Sequence, residues 1–296
     1  MKKVLLLAVL ASFVLIIGMI GCESGSPANS ESTVGDTSSQ TFQIMNDSIG
    51  SFSMDIVGIS LDFSFELLEG QFPALVTSKF GNQLATADTS YVVSHSYTYA
   101  NGWHIFNFSA TVINFDDTTI IEGLDSIQTL VDNVPMQVPD STMNGLVIHN
   151  QYSLDNNLFG GAVGHQVLNL AADSFDSLAV VTASGNTNDS IDVQFADETD
   201  TCSLQINSAV TINSVIFQLD ATKDCPTSGS ISANQDISMS CVGGNGSPLD
   251  SLSIEGSWTI GVAYHGTTAT VTYTNGGTSW TVIDSCGNSP NSISPF

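Results

Sequence analysis

Residues 91–112 read YVVSHSYTYANGWHIFNFSATV, and this stretch decides the fold class. Its dipeptide Asn101-Gly102 is the strongest short signal for a two-residue hairpin turn, because both turn positions must tolerate positive φ. Such a turn places Ala100 opposite Trp103, and a slip of one residue would set apolar side chains against polar ones. We therefore predict an antiparallel hairpin with ten side chains on one face, paired Tyr99 with His104, Tyr97 with Phe106, His95 with Phe108, Val93 with Ala110 and Tyr91 with Val112.

The aromatic face of this hairpin has two interpretations. In the first, it is the inner side of a sheet, and His95 and His104 are hydrogen-bonded residues of the core or its rim. In the second, the sheet curls around an apolar ligand and the aromatic face forms the wall of the binding site. The residues that would line that wall are Tyr91, His95, Tyr97, Phe106 and Phe108.

Two other stretches also predict strands. Residues 57–67 alternate apolar and polar side chains over eleven positions, the pattern of a strand with one buried face. Residues 257–282 read SWTIGVAYHGTTATVTYTNGGTSWTV, and a turn at His265-Gly266 would pair Val262 with Ala269. A second turn, at Asn275-Gly276 or Gly276-Gly277, returns Trp280 and Val282 to the same face. These residues predict a three-stranded antiparallel meander.

Two local patterns predict other elements. Pro73 opens a stretch in which Val76, Phe80 and Leu84 recur at a spacing of four, which indicates one short helix. Asp-Ser followed by Ile or Leu recurs at irregular intervals and predicts turns before strands. The aspartates of this second pattern are Asp47, Asp125, Asp176, Asp189 and Asp250.

The predicted fold is all-β: a large antiparallel meander that forms a sandwich or a curved open sheet. The β-rich domain covers residues 41–296, with a candidate subdivision at the glycine-rich stretch 156–164. Ser, Thr and Asn are abundant while charged residues make up 11% of the chain. The polar faces of the strands are therefore expected to be hydroxylated rather than charged.

Four cysteines follow residue 22, and an even number in an exported chain predicts two disulfides. The segment from Cys225 to Cys241 resembles a hairpin with its turn near Asn234, which favours a Cys225–Cys241 bridge and leaves Cys202 with Cys286. The sequential pairing, Cys202–Cys225 with Cys241–Cys286, is the alternative. None of the four has the CxxC spacing of a zinc site.

The charge balance limits the partners. After residue 22 the chain carries 29 acidic residues against two lysines, Lys79 and Lys223, a net charge of −27, and it contains no arginine. Nucleic-acid binding depends on Lys and Arg that neutralise phosphates, so nucleic acid is excluded. Phosphorylated metabolites and anionic lipid headgroups are disfavoured for the same reason. Cations, neutral sugars, apolar molecules and other proteins remain.

No catalytic motif is present: GxSxG, HExxH, a phosphate-binding loop and a calcium-binding EF-hand loop are all absent. We therefore assign no catalytic residue and no required cofactor. A calcium site is the one metal hypothesis, because calcium takes several oxygen ligands and two predicted loops are rich in carboxylates. Its candidate ligands are Asp189, Asp192, Asp197, Glu198 and Asp200.

The N-terminus has the pattern of an export signal: Lys2 and Lys3, an apolar block at 4–20, and Gly21 before Cys22. The Gly21-Cys22 junction resembles the lipobox of bacterial lipoproteins. That resemblance covers residues 1–22 only, and Met19 stands where the family usually has leucine. It implies a signal peptide at 1–21, acylation (as by palmitate) of Cys22, and attachment to a membrane of the cell envelope, expected to be the outer membrane. Residues 22–40 would form a flexible tether.

Three functions follow as expectations. The first is a non-enzymatic, membrane-anchored envelope lipoprotein with a structural or binding role, whose partner is a protein or a neutral or apolar ligand. The second is a carrier or sensor of an apolar ligand held on the aromatic hairpin. The third is a secreted-type hydrolase of a neutral polymer, which would require a cleft with a titratable pair of residues.

Overall fold

The computed structural model describes residues 35, 89–114, 117–175, 180–196, 200–218, 226–243 and 252–284. These residues form twelve strands. The strands are β1 Thr89–Ala100, β2 Trp103–Asn114, β3 Asp117–Val131, β4 Val134–Met136, β5 Gly145–Asn156, β6 Gly160–Ala172, β7 Val180–Ala196, β8 Asp200–Gln218, β9 Ser228–Gly243, β10 Leu252–Tyr264, β11 Ala269–Asn275 and β12 Thr278–Asp284.

All twelve strands belong to one antiparallel sheet. Eleven of them follow chain order across the sheet. The short β4 pairs with the last residues of β3, and β5 pairs with β3 along nearly its whole length. Strands β1 and β12 lie at the two ends of this order, so the sheet is open. This confirms the predicted all-β meander in its open-sheet form. Within the described ranges, no helix has the length and apolar character needed to cross a membrane.

The opening hairpin has the predicted register. Asn101 and Gly102 form the turn with φ of 54° and 85°, and the pairs run from Ala100–Trp103 to Tyr91–Val112. The burial of this face decreases towards the end of the sheet. On β2, His104 and Val112 are buried, whereas Tyr97 on β1 is 53% exposed.

The C-terminal meander is confirmed, with one correction to its register. Gly276 and Gly277 form the second turn with φ of 56° and 85°, and they return Trp280 opposite Tyr273. The first connection is a four-residue loop, His265 to Thr268, rather than a two-residue turn. His265 N donates to Thr268 O at 2.9 Å within this loop. Val262 therefore pairs with Val271, not with Ala269, while the buried face is unchanged.

The core lies on one face of the sheet, which we call the inner face. Alternate residues of β3 and β5–β11 are buried there, and Ile127, Leu146, Ile148 and Leu168 have no exposed area. Ser214 is an extra residue in β8 with a φ of 47°, and the pairing shifts there with both β7 and β9. This bulge shifts the alternation of inward and outward side chains in β8 by one residue. Alternate residues after the bulge therefore remain buried.

The predicted Asp-Ser turns are wrong at two positions. Asp125 and Asp189 lie in the middle of β3 and β7, on the inner face, with 3% and 5% of their surface exposed. The hydrophobic residues around each aspartate set the strand and outweigh its turn preference. The other three Asp-Ser sites, the strand predicted at 57–67 and the helix predicted at 73–84 lie outside the described residues.

The predicted disulfide pairing is also wrong. Cys202 bonds Cys241, because β8 and β9 place these residues directly opposite each other with Cα atoms 4.1 Å apart. Residues 228–243 form one continuous strand, so no turn occurs near Asn234 and the predicted Cys225–Cys241 hairpin does not form. The bridge rules out the sequential pairing as well. Cys225 and Cys286 lie outside the described residues.

Candidate functional site

The face opposite the core, which we call the outer face, contains a cavity of about 840 Å³ at the middle of the sheet. We call it the outer trough. It crosses five neighbouring strands, β5 to β9, and most of its lining side chains are outward-facing. The lining residues are Gln151, Tyr152, Val163, Gly164, His165, Asn188, Asp189, Ser190, Asn207, Ser208, Ala209, Asn234 and Asp236.

Strand register brings these residues together in two parallel rows. The first row runs from His165 through Asn188 and Ala209 to Asn234, each residue directly opposite the next on a neighbouring strand. The second row lies two residues away along each strand and consists of Val163, Ser190, Asn207 and Asp236. Because neighbouring strands are about 4.8 Å apart, the side chains of one row form a continuous line.

A small residue gives the trough its depth. Ala209 stands between Asn188 and Asn234, so a methyl group lies at the centre of the first row where its neighbours carry amides. The low centre and the polar sides produce an open depression in a sheet face that would otherwise be even.

Hydrogen bonds between strands orient the amides of the trough. Ser190 Oγ donates to Asn207 Oδ1 at 2.8 Å, and Thr259 Oγ1 donates to Asn234 Oδ1 at 3.1 Å. With their carbonyl oxygens held in this way, both asparagines have Nδ2 available as a donor. Asn188 is oriented oppositely, because its Nδ2 donates to His165 Nε2 at 3.4 Å and leaves Oδ1 as an acceptor.

The trough offers hydrogen bonding without positive charge. None of its described lining residues is lysine or arginine. Asp236 supplies a carboxylate, and Ser257 from β10 donates a hydrogen bond to its Oδ1. Fixed donors and acceptors therefore lie side by side, and the described lining residues supply no lysine or arginine to pair with a phosphate or sulfate.

A buried polar cluster lies behind the trough, on the inner face. Tyr152 of β5 reaches across β6 and donates from its hydroxyl to Asp189 Oδ1 of β7 at 2.7 Å. The Tyr152 side chain can contact Asp189 because Gly164, which lies opposite both residues, has no side chain between them. Thr187 Oγ1 donates to the other carboxylate oxygen, also at 2.7 Å.

Burial controls the ionisation of this cluster. It raises the pKa of Asp189, although the hydrogen bonds from Tyr152 and Thr187 act in the opposite direction. Burial also raises the pKa of Tyr152, and the neighbouring Asp189 carboxylate adds to the effect. Tyr152 therefore stays protonated and remains a donor to Asp189.

A second buried polar row crosses β3, β5 and β6, where Asp125, Asn150 and Gln166 lie directly opposite one another. Asn150 Nδ2 donates to Gln166 Oε1 at 3.4 Å. Among the described residues, no hydrogen-bond partner reaches Asp125 Oδ2, Asn150 Oδ1 or Gln166 Nε2. Burial raises the pKa of Asp125 to about 7.

The residues predicted to hold an apolar ligand are brought onto one face of β1 and β2. Phe106 and Phe108 are partly buried against the core, and the ring of Tyr97 lies 5.0 Å from that of Phe106. Tyr97 also hydrogen-bonds His104 Nδ1 through its hydroxyl at 3.0 Å. His95 is exposed, and the Tyr91 backbone pairs with Val112. These aromatic residues do not line the outer trough.

Asp189 and Asp192, the predicted calcium ligands whose side chains the structure describes, are not brought together. Residues 186–192 belong to the middle of β7 rather than to a loop, so Asp189 faces the core and Asp192 faces outward. Asp192 Oδ2 accepts a hydrogen bond from Gln205 at 3.1 Å. Asp200 begins β8, while Asp197 and Glu198 lie outside the described residues. In the described part of the chain, no three His, Cys, Asp or Glu side chains form a group suited to a metal ion.

Sequence reasoning missed the asparagines of the trough, although a signal for them was present. Residues 203–212 alternate polar and apolar side chains except at Ser208 and Ala209, and Asn207 is one of the polar positions. That pattern identifies outward-facing residues but does not specify which strands are neighbours. The lipobox-like residues, including Cys22, lie outside the described residues.

Comparison of the chain with protein-family models, with curated proteins and with solved structures finds no match.

Proposed function

We propose that this protein is a non-enzymatic, lipid-anchored protein of the bacterial cell envelope that binds a neutral, hydrogen-bonding ligand on the outer face of its sheet. The outer trough is the observation that carries the binding role. Its volume of about 840 Å³ lies within the range of small-molecule sites, and its polar side chains are held by hydrogen bonds between strands. The lipobox-like Gly21-Cys22 supports the anchor.

The charge of the chain supports a neutral ligand. Only two lysines follow residue 22, the chain has no arginine, and none of the described residues that line the trough is basic except His165. A ligand that carries phosphate or sulfate would meet the Asp236 carboxylate, and like charges oppose binding. A neutral ligand avoids this repulsion and can use the amides.

Extraction of envelopes tests the binding role in the full chain. Ala209→Trp fills the centre of the trough, whereas Ala171→Trp adds the same side chain at another exposed position on the outer face. After detergent removes lipid-anchored proteins, we expect the wild type and the Ala171 variant to stay with insoluble envelope material. The Ala209 variant should be solubilised. Equal solubilisation of the two variants would contradict the binding role.

Fatty-acid labelling tests the anchor separately. Cells given an alkyne fatty acid should label the wild-type chain, and Cys22→Ser should remove the label and leave the signal peptide uncleaved. Label that persists in the Cys22 variant would contradict the proposed lipidation. This result would leave the trough experiment unaffected, because that experiment compares two variants with the same N-terminus.

An apolar ligand on the aromatic hairpin is the second candidate, favoured by the exposure of Tyr97. Just over half of its surface is accessible although its ring lies 5.0 Å from the tilted ring of Phe106. Native mass spectrometry of the detergent-solubilised chain would detect such a ligand as a stoichiometric apolar adduct. Tyr97→Ser should then remove the adduct, while Ala209→Trp should not.

A further inference from the structure

We infer that the outer trough binds a linear neutral saccharide that lies across strands β5 to β9. The inference rests on the proposed binding function and specifies its ligand. It follows from three properties of the trough: its elongated outline, the presence of both donors and acceptors, and one exposed valine among polar side chains.

The outline of the trough matches a chain of linked rings. Both rows span the four strands β6 to β9, and Gln151 of β5, directly opposite His165, extends the first row to a fifth strand. Five strands correspond to a length of about 19 Å at about 4.8 Å for each strand spacing. Neighbouring residues on one face of a strand are about 7 Å apart, so two rows give a width close to that value. A narrow depression of this length fits several sugar rings in a line better than it fits one compact molecule.

The polar groups match the chemistry of hydroxyls. A sugar hydroxyl donates one hydrogen bond and accepts others, so a site for several hydroxyls needs both kinds of partner close together. Asn234 in the first row and Asn207 in the second present Nδ2 donors, and Asn188 in the first row presents an Oδ1 acceptor. Asp236 adds a second acceptor, the carboxylate oxygen that Ser257 does not occupy.

Val163 supplies the apolar contact. It is 54% exposed and lies directly opposite Ser190 in the second row. The carbon-bound hydrogens of a sugar ring form an apolar patch between hydroxyls, and a single exposed valine can pack against such a patch. A continuous apolar wall would favour an apolar ligand instead, and the polar neighbours of Val163 prevent one.

Oligosaccharide titration tests this inference on the full chain in detergent micelles. The probes are cellohexaose, laminarihexaose, maltohexaose and chitohexaose, with hexagalacturonic acid as the anionic comparison. We expect calorimetric binding of at least one neutral probe and none of the acid. Asn188→Ala should weaken that binding by about 3- to 10-fold, the range for one lost hydrogen bond. Asn186→Ala, on the same strand and face but outside the trough, should leave it unchanged.

Ala209→Trp provides the steric test, and it should weaken binding by at least tenfold while Ala171→Trp does not. A urea midpoint equal to that of the wild type verifies that each variant is folded. Absence of binding to all four neutral probes overturns the inference. Equal binding by Asn188→Ala and Asn186→Ala overturns it as well.

Enzymatic treatment of envelopes distinguishes this failure from failure of the proposed function. The envelopes come from cells that lack the protein, and each treatment ends before the purified chain is added. Cellulase, laminarinase, amylase and chitinase together cleave the linkages of the four neutral probes, and protease removes protein. If retention depends on the trough, survives the glycosidases and is lost after protease, the ligand is a protein and the saccharide inference is wrong. The binding function itself would still stand. Loss of retention after the glycosidases alone supports the saccharide.

Discussion

Replacing Asp125 by asparagine is expected to stabilise the protein above neutral pH. Asp125 is 3% exposed, and burial raises the pKa of its carboxyl from 3.8 to about 7 in the folded protein. Because the folded state holds its proton more tightly than the unfolded chain, the protonated group favours folding at low pH. That contribution is lost as the pH rises from about 4 to about 7. At about 1.4 kcal/mol for each pH unit, the loss is about 4 kcal/mol.

Asparagine cannot ionise and keeps nearly the same shape, so the variant should escape this loss. Its amide can also donate to Asn150, whose Oδ1 has no partner among the described residues and which lies directly opposite. The gain in the free energy of unfolding over the wild type should therefore increase by about 4 kcal/mol at most between pH 4 and pH 8. The increase is the diagnostic quantity, because it does not depend on how well the amide packs.

Urea unfolding at pH 4, 6 and 8, followed by the fluorescence of the buried Trp258, measures this difference. Asp155→Asn is the matched control, since it removes one acidic residue from an exposed position on β5. If Asp125→Asn and Asp155→Asn change stability in the same way at each pH, the effect comes from net charge. A difference between wild type and Asp125→Asn that is constant with pH would refute the reasoning.

Two further predictions concern packing and the disulfide. Gly164→Ala should lower the free energy of unfolding by about 1–3 kcal/mol, because the added methyl would overlap the ring of Tyr152. Gly261→Ala, where no atom lies within 4 Å of the added carbon, should be neutral or stabilising, and urea midpoints will compare the two. Peptide mapping without reduction should link Cys202 to Cys241, and replacing both by serine should cost about 2–4 kcal/mol in urea unfolding. A mapped Cys225–Cys241 peptide would contradict the structure.

The register of the first hairpin could be predicted because two independent signals agree there. Asn101-Gly102 identifies the turn, and the alternation on both sides of it allows one pairing only. At the β10–β11 connection the loop is longer, and His265-Gly266 alone does not reveal that His265 and Thr268 close it. The buried face of β10 and β11 was predicted correctly, because a register shift of two residues leaves the same side chains on that face.

Strand β9 could not be predicted as one strand, because a polar residue lies at one of its buried positions. Gln235 is 1% exposed and interrupts an otherwise apolar series that includes Ala233 and Ile237. Such a residue resembles part of a turn in the sequence. Its burial depends on Ser208, which accepts a hydrogen bond from it across the β8–β9 pair.

The trough was not predicted because its residues come from different strands. Asn188, Asn207 and Asn234 lie far apart in the chain, and each is an ordinary polar position of its own strand. They meet only when the register of β7, β8 and β9 is known. The bulge at Ser214 shifts that register after residue 213, and the sequence has no glycine or proline there to signal it.

The order of the strands also has a consequence for folding speed and, under the proposed envelope function, for folding after export. Strand β5 pairs with β3 rather than with the short β4 that precedes it. Every other described strand hydrogen-bonds the strand before it in the chain. Loop closure is therefore short at each step, and low contact order is associated with fast folding among two-state proteins. A chain that crosses a membrane from its N-terminus could pair each strand as soon as the following strand has emerged. Unpaired strand edges would then be exposed to aggregation only briefly.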